Sequence, residues 1–243
     1  MEGTGSIVEV WVIRVDVGRI AMDRLRAWLS PDERTRAAAF HFDRDRSSYV
    51  ATHGAVRAIL AERLSLLPEQ VAFEVGPHGK PRLAAENPDL RFNLSHSGGI
   101  ALCAVTNGVE VGVDVEALRA VPDAEAIVRR HFAAREVEDW LRLSPSQRPD
   151  GFLRLWSCKE ALIKACGMGL SMPLDRSEIS VSSASVRLHS IHGSEPEASR
   201  WTLRTFDPAP GYVGAVCVEM AEVDIRVRTW STPWVEPEPQ SPH

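Results

Sequence analysis

Two short stretches of this sequence carry side chains that could handle a phosphorylated substrate. In V-E-V-G-V-D-V-E at 109–116, four valines alternate with Glu110, Gly112, Asp114 and Glu116. That is the period-two pattern of a strand, so Asp114 and Glu116 share the face opposite the valines, near the strand's end. In W-S-C-K-E-A-L-I-K at 156–164, Trp156, Glu160 and Lys164 recur every four residues, and a helix would carry them on one side. Asp114, Glu116 and Glu160 are hard oxygen donors. They suit Mg2+, which binds a few carboxylates, keeps some waters and takes its other ligands from phosphates. Zinc patterns such as H-E-x-x-H are absent. A D-x-E pair alone is more often a solvated pair of carboxylates; its combination with the helix reverses that balance.

Anion contacts come from elsewhere in the chain. S-H-S-G-G at 95–99 offers the Ser95 hydroxyl, the His96 imidazole and open backbone N–H groups. Lys80 sits in the proline-bounded turn G-P-H-G-K-P at 76–81, and Arg36 lies on an early helix. Each alone could equally be a surface residue. Only three of the 28 basic residues are lysines: Lys80, Lys159 and Lys164. Lysine is a compact point charge that can release a proton, whereas arginine is a permanently charged fork. Lysine kept in so arginine-rich a chain marks these positions for attention. There is no P-loop pattern and no G-x-S-x-G nucleophile motif.

The elements that must position these residues can be read in order. Alternation over 7–17 predicts a strand with Val8, Val10 and Val12 on one face. S-P-D-E at 30–33 has the form of a capping box with proline at the first helical position. A longer helix spans about 45–64, burying Val56, Ile59, Leu60 and Leu64. Strands follow around Val71–Val75, Leu90–Leu94 and Ile100–Val105. Thr106-Asn107-Gly108 then predicts a hairpin turn into the central strand. Residues 123–142 read as one helix with Arg129 and Arg130 exposed, and Asp150 as the cap of a helix over 151–166 that stops at Gly167. Strands are expected near 178–191, 200–206, 212–219 and 223–230. Helices interleaved with hairpin-linked strands give an α+β class. The expected division is an N-terminal half at 1–107, a C-terminal half at 108–230 carrying the metal site, and a disordered tail at 231–243, the halves forming one compact unit.

A chain of 243 residues is long enough for an ample core. The formal charge of −5 provides no global field for nucleic acid or acidic membrane. No apolar run approaches a membrane span, no secretory signal opens the sequence, and four scattered cysteines read as buried thiols of the cytoplasm.

Together G-K-P at 79–81, F-N-L-S-H-S-G at 92–98, V-G-V-D-V-E at 111–116 and W-S-C-K-E-A-L-I-K with G-M-G-L-S behind it resemble the Sfp-type 4′-phosphopantetheinyl transferases. The segment S-P-D-E-R-T-R…F at 30–40 is similar to that family's first helix. The resemblance implies a pseudo-two-fold α+β fold, two similar halves each with a long helix packed on an antiparallel sheet, with coenzyme A in the cleft between them. It implies transfer of phosphopantetheine to a serine of an apo acyl or peptidyl carrier protein, releasing adenosine 3′,5′-bisphosphate; a monomer is expected. By motif position Asp114, Glu116 and Glu160 would hold Mg2+ on the pyrophosphate, Asp114 bordering coenzyme A as well. Glu160 or a water on the metal would be the base, and Lys164 would contact the phosphates and protonate the leaving group. Lys80, Pro81, Ser95 and His96 would contact coenzyme A, and Arg36 its 3′-phosphate. At Ser48 and Tyr49 the chain departs from relatives that carry a basic and a small hydroxyl residue, and Arg44 or Arg46 could compensate. The alternatives are a magnesium-dependent phosphohydrolase of a nucleotide-like diphosphate and a non-catalytic module that binds carrier proteins or coenzyme A.

Overall fold

A computed structural model describes residues 7–76, 79–84, 89–169, 172–182 and 185–233. His78, Leu170-Ser171 of the G-M-G-L-S stretch and most of the expected tail lie outside the described residues. The elements run β1 (Ile7–Arg14), α1 (Arg19–Trp28), α2 (Pro31–Ala38), α3 (Asp43–Leu64), β2 (Phe73–Val75), β3 (Pro81–Leu83), β4 (Leu90–Ser97), β5 (Ile100–Asn107) and β6 (Val111–Ala117). They continue with α4 (Ala124–His131), α5 (Ala134–Arg142), α6 (Arg148–Cys166), β7 (Ser177–Val181), β8 (Val186–Ile191), α7 (Glu195–Ala198), β9 (Thr202–Phe206), β10 (Tyr212–Val218) and β11 (Asp224–Trp230). The class is α+β.

Among the described residues one sheet has the strand order β11-β1-β5-β4, and a second has the order β6-β10-β9. The alternation along β1 explains how they stack. Val8, Val10 and Val12 pack with Leu102 and Ala104 against Val111, Val113 and Val115 of the central strand β6 and against Val216 and Val218. The other side of the first sheet, through Ile13, Ala101, Cys103 and Phe92, packs on Val56, Ile59 and Leu60 of α3. The second sheet, through Val213, Ala215 and Cys217, packs on Leu153, Ala161 and Leu162 of α6. Each sheet thus carries a long helix on its outer face. The strand β11 pairs in parallel with β1, Val10 opposite Val227, so the last strand of the chain joins the first sheet.

Several local expectations are met and some are corrected. The capping box is formed: Glu33 N–H donates to Ser30 Oγ at 3.2 Å and Ser30 N–H to Glu33 Oε2 at 2.8 Å. The expected hairpin between 100–105 and the central strand does not form, because β5 and β6 belong to different sheets. The backbone of β6 pairs with β10, so the short Thr106–Gly108 link crosses from one sheet to the other. The single helix expected over 123–142 is two. It breaks where Phe132 turns extended (φ −102°, ψ 160°) and its ring stacks on Phe152. Asp150 is not a cap: it lies in the first turn of α6 and pairs with Arg154 at 2.8 Å. The strand expected at 178–191 is the hairpin β7–β8, and α1 was not anticipated although Ala21 and Leu25 are buried at helical spacing.

One glycine is required by close approach. A Cβ on Gly112 would sit 2.0 Å from the Ala161 carbonyl oxygen and 2.3 Å from the Ala165 nitrogen. At this point β6 and α6 touch backbone to backbone, which brings Asp114 and Lys164 together.

Candidate active site

At the junction of the two sheets β4 and β6 are joined by side chains. The Val113 N–H donates to Asn93 Oδ1 at 2.9 Å and the Ala117 N–H to Ser97 Oγ at 3.1 Å. Ser95 Oγ donates to Asp114 Oδ1 at 2.8 Å and Ser97 Oγ to Glu116 Oε2 at 3.1 Å. Residues 93, 95 and 97 share a face because strand side chains alternate. The polar positions of N-L-S-H-S therefore act as a ladder that a second strand would otherwise provide.

Lys164 crosses from α6 to this seam. Its ammonium lies 2.6 Å from Asp114 Oδ1, 3.1 Å from Ser95 Oγ and 3.3 Å from the Val113 carbonyl. Asp114 is 5% exposed. Burial raises its pKa above the usual carboxylate range, against the pull of Lys164 and Ser95. Its second oxygen, Oδ2, is buried and completes no hydrogen bond among the described residues, although the Ser157 hydroxyl is close enough to pull the pKa down. Glu160 is also raised, first by burial, which Lys164 opposes and the repulsion of Asp114 and Glu116 reinforces. The strand and helix motifs thus meet: Glu160 is in electrostatic reach of both strand carboxylates and of the Lys164 ammonium.

They do not converge to ligation distance. Among the described residues no three His, Cys, Asp or Glu groups are placed to hold a metal ion. Lys164 occupies one oxygen of Asp114, and Arg119 holds Glu116 Oε2 at 2.9 Å. The donor set nonetheless suits a hard cation: Asp114 and Glu116 both repel Glu160, and one oxygen of Asp114 is buried without a completed hydrogen bond.

Beside this seam lies a cleft of about 1220 Å³. Five of the expected contact residues line it: Arg36, Lys80, Pro81, His96 and Lys164. Ser95 and Asp114 are buried behind Lys164, and Glu116 and Glu160 lie outside the cleft wall. The Lys80 ammonium is held by Glu110 at 2.7 Å and by the Val111 carbonyl at 3.1 Å, which ties its turn to the start of β6. Burial lowers the His96 pKa, and the neighbouring His53 and Lys164 lower it further while Asp45 opposes. Arg44 lines the cleft, whereas Arg46 is turned toward Asp43 and the Phe40 carbonyl. Ser48 and Tyr49, named from the sequence only as a departure from relatives, line the cleft from α3 together with Thr52 and His53, which residue-by-residue reading missed. The i, i+3 and i+4 spacing of Tyr49, Thr52 and His53 was the available signal, obscured because such a polar stripe also reads as solvent-facing.

Lys159 has no place at the site. It is 0% exposed and bonds to Glu136 at 2.8 Å, the Leu174 carbonyl at 2.7 Å and the Ser177 carbonyl at 2.9 Å, its ammonium over the Phe132 ring. Glu136 in turn accepts from the Ile179 and Ala133 N–H groups. This buried pair fixes α6 to α5 and β7. The four cysteines are free thiols.

Comparison with known proteins bears on this arrangement. A sequence profile described as the 4′-phosphopantetheinyl transferase superfamily matches residues 110–217. A second, described as the N-terminal part of a 4′-phosphopantetheinyl transferase, matches residues 20–107. The 4′-phosphopantetheinyl transferase HetI of Nostoc sp. is 36% identical over 217 residues, covering 87% of each chain. The 4′-phosphopantetheinyl transferase Sfp of Bacillus subtilis is 32% identical over 199 residues, covering 80% of this chain and 84% of its own. The crystal structure of Thermotoga maritima holo-[acyl-carrier-protein] synthase overlies 47% of this chain and 64% of its own, at 22% identity and a TM-score of 0.36.

Proposed function

This chain belongs to the 4′-phosphopantetheinyl transferase superfamily, and from that premise we propose that it moves the phosphopantetheine arm of coenzyme A onto a serine hydroxyl of an apo carrier protein. The reaction would depend on Mg2+ and release adenosine 3′,5′-bisphosphate. The observation that carries this reading is the meeting of Lys164 with Asp114, at 2.6 Å, beside a cleft whose wall includes Arg36, Lys80 and His96.

In this reading coenzyme A lies in the cleft with its phosphates toward the basic residues. Asp114, Glu116 and Glu160 would hold Mg2+, which when bound neutralises the pyrophosphate and fixes its oxygens. Lys164 turns one N–H from Asp114 to the bridging oxygen of the pyrophosphate. The carrier's serine oxygen bonds to the phosphorus that bears the pantetheine arm, and the bond from that phosphorus to the bridging oxygen breaks. The serine proton passes to a base, and Glu160, with its raised pKa, is suited to take it. Lys164 gives a proton to the departing oxygen. Lys80 and His96 contact the phosphates, Ser95 steadies Lys164 and Asp114 from behind, Arg36 contacts the 3′-phosphate, and Pro81 stiffens the turn that presents Lys80. Four free thiols fit a reducing cytoplasm, and the enzyme would act as a monomer. No helix among the described residues is long and apolar enough to cross a membrane.

The test is incubation with coenzyme A, Mg2+ and apo carriers of the fatty-acid, polyketide and nonribosomal-peptide types, followed by weighing the carriers. The expected result is a gain of one phosphopantetheine on at least one carrier, abolished by chelator and restored by Mg2+. Consumption of coenzyme A with every carrier unmodified would overturn the transferase reading in favour of a phosphohydrolase.

A further inference from the structure

The helix α3 turns a polar face to the cleft. Ser48, Tyr49, Thr52 and His53 all line it, at spacings that put them on one side of the helix. None of them has a role in the chemistry described above. His53 is the most tightly specified. Its Nδ1 lies 3.4 Å from Glu33 Oε1. Burial would raise the Glu33 pKa, but His53, the Ser30 N–H and Arg57 hold it down to about 2, so the carboxylate is ionised. An ionised carboxylate can only accept, which places a proton on Nδ1 and leaves Nε2 on the opposite side of the ring. The ring stacks on Tyr49, centroids 3.9 Å apart and planes at 25°, and the Arg36 guanidinium lies 5.9 Å from the Tyr49 centroid. Next to His53, Thr52 also lines the cleft. It is 2% exposed, and its hydroxyl has no hydrogen-bond partner among the described residues. A buried hydroxyl left unpaired in a cleft wall is a contact that a ligand can complete.

We infer that His53 is a further substrate-binding residue, which takes a phosphate of coenzyme A on Nε2 as an imidazolium while Glu33 holds Nδ1–H, with the Thr52 hydroxyl as a neighbouring donor. The identity of the ligand rests on the transferase reading above. The proton count follows from the ring. An imidazole with its only proton on Nδ1 presents a lone pair at Nε2, so the ring donates to a phosphate oxygen there only when it carries both protons. The charged and titratable groups around the ring are Glu33 and Arg36 of α2, Tyr49 and Arg57 of α3 and His96 of β4, and His96 in turn faces Asp45 of α3 and Lys164 of α6. An ion triad of carboxylate, imidazolium and phosphate would occupy this corner, and Glu33 serves in it as a positioning residue.

Calorimetry of coenzyme A binding in two buffers of different ionisation heat, near pH 7.5, measures both affinity and proton uptake. His53→Phe keeps a ring to stack on Tyr49 and removes both nitrogens. It is expected to weaken coenzyme A binding roughly ten- to a hundredfold, as for loss of a charge-assisted hydrogen bond. It is also expected to abolish the proton taken up by the wild type, with the fold retained by circular dichroism. His53→Gln, which retains a donor, is expected to recover part of the affinity without the proton. A second titration with 3′-dephospho-coenzyme A identifies the phosphate: a loss confined to coenzyme A assigns the 3′-phosphate, and an equal loss on both assigns the pyrophosphate. Affinity and proton uptake unchanged in His53→Phe would overturn the inference. Carrier modification by the wild type separates the two conclusions. Modification together with an indifferent His53→Phe removes only this one; normal His53-dependent binding without modification removes only the transferase reading.

Discussion

Lys164 donates to a carboxylate, a hydroxyl and a carbonyl at once, which matches the three N–H groups of an ammonium. A planar guanidinium cannot point donors in those three directions, nor can it release a proton. Lys164→Arg is therefore expected to keep the fold and much of the affinity for coenzyme A but to lose about a hundred- to ten-thousandfold in single-turnover transfer, the usual range for a lost general acid. Rates within a few-fold of wild type would make Lys164 a replaceable charge. Glu33 gives a second expectation. Its pKa is held down to about 2 from 4.5, so it contributes stability that is complete above pH 5 or so and is lost as the pH falls toward 2. The shift sets an upper limit of about 3 kcal/mol. Glu33→Gln keeps the capping contacts, so urea melts should show a gap from wild type at pH 7 that closes by pH 2–3; a gap independent of pH would count against the charge. The scarcity of lysine did single out three positions, and all three have specific partners. Sequence could not separate them, because the buried partner of Lys159 is Glu136, on another helix.

At the scale of elements the decisive contact is between β6 and α6. Gly112→Ala would push a methyl into the Ala161 carbonyl and the Ala165 nitrogen. Because both are backbone, the helix must move, and overpacking of this kind costs about 1–3 kcal/mol or more. Thermal melts should show that loss, and transfer should slow as Lys164 is lifted from Asp114. The strut beneath α6 is the Lys159–Glu136 pair. Lys159→Met leaves a buried carboxylate unpaired and is expected to cost about 3–5 kcal/mol. Adding Glu136→Gln, which still accepts from the Ile179 N–H, should recover part of that loss in a double-mutant cycle. Which elements exist was largely legible, since alternation and capping are local signals. Which strands pair was not. The hairpin expected at Thr106–Gly108 had a proper turn sequence, but the amides of β6 find their partners on β10, Asn93 and Ser97, all remote in sequence.

At the scale of the molecule, the site lies where two sheets meet, and the first sheet is closed by the last strand. Truncation after residue 221 removes β11 and strips β1 of its parallel partner. Such a chain is expected to lose cooperative unfolding and solubility even though every candidate site residue is retained; a normal melt and normal carrier modification would show β11 to be dispensable. Nothing local in the sequence announces a parallel pairing between the two ends. That pairing also sets a schedule. A ribosome delivers β1 first and β11 last, and at about 5–20 residues per second the outer edge of β1 waits on the order of ten seconds or more for its neighbour. An open apolar edge invites strands from other nascent chains. In β1 the side chain that discourages them is Glu9, later enclosed between Arg63 and Arg228. Glu9→Val should therefore raise the insoluble fraction during synthesis more than it lowers the melting temperature of the finished protein, so that this glutamate guards the unfinished chain as much as its folded state.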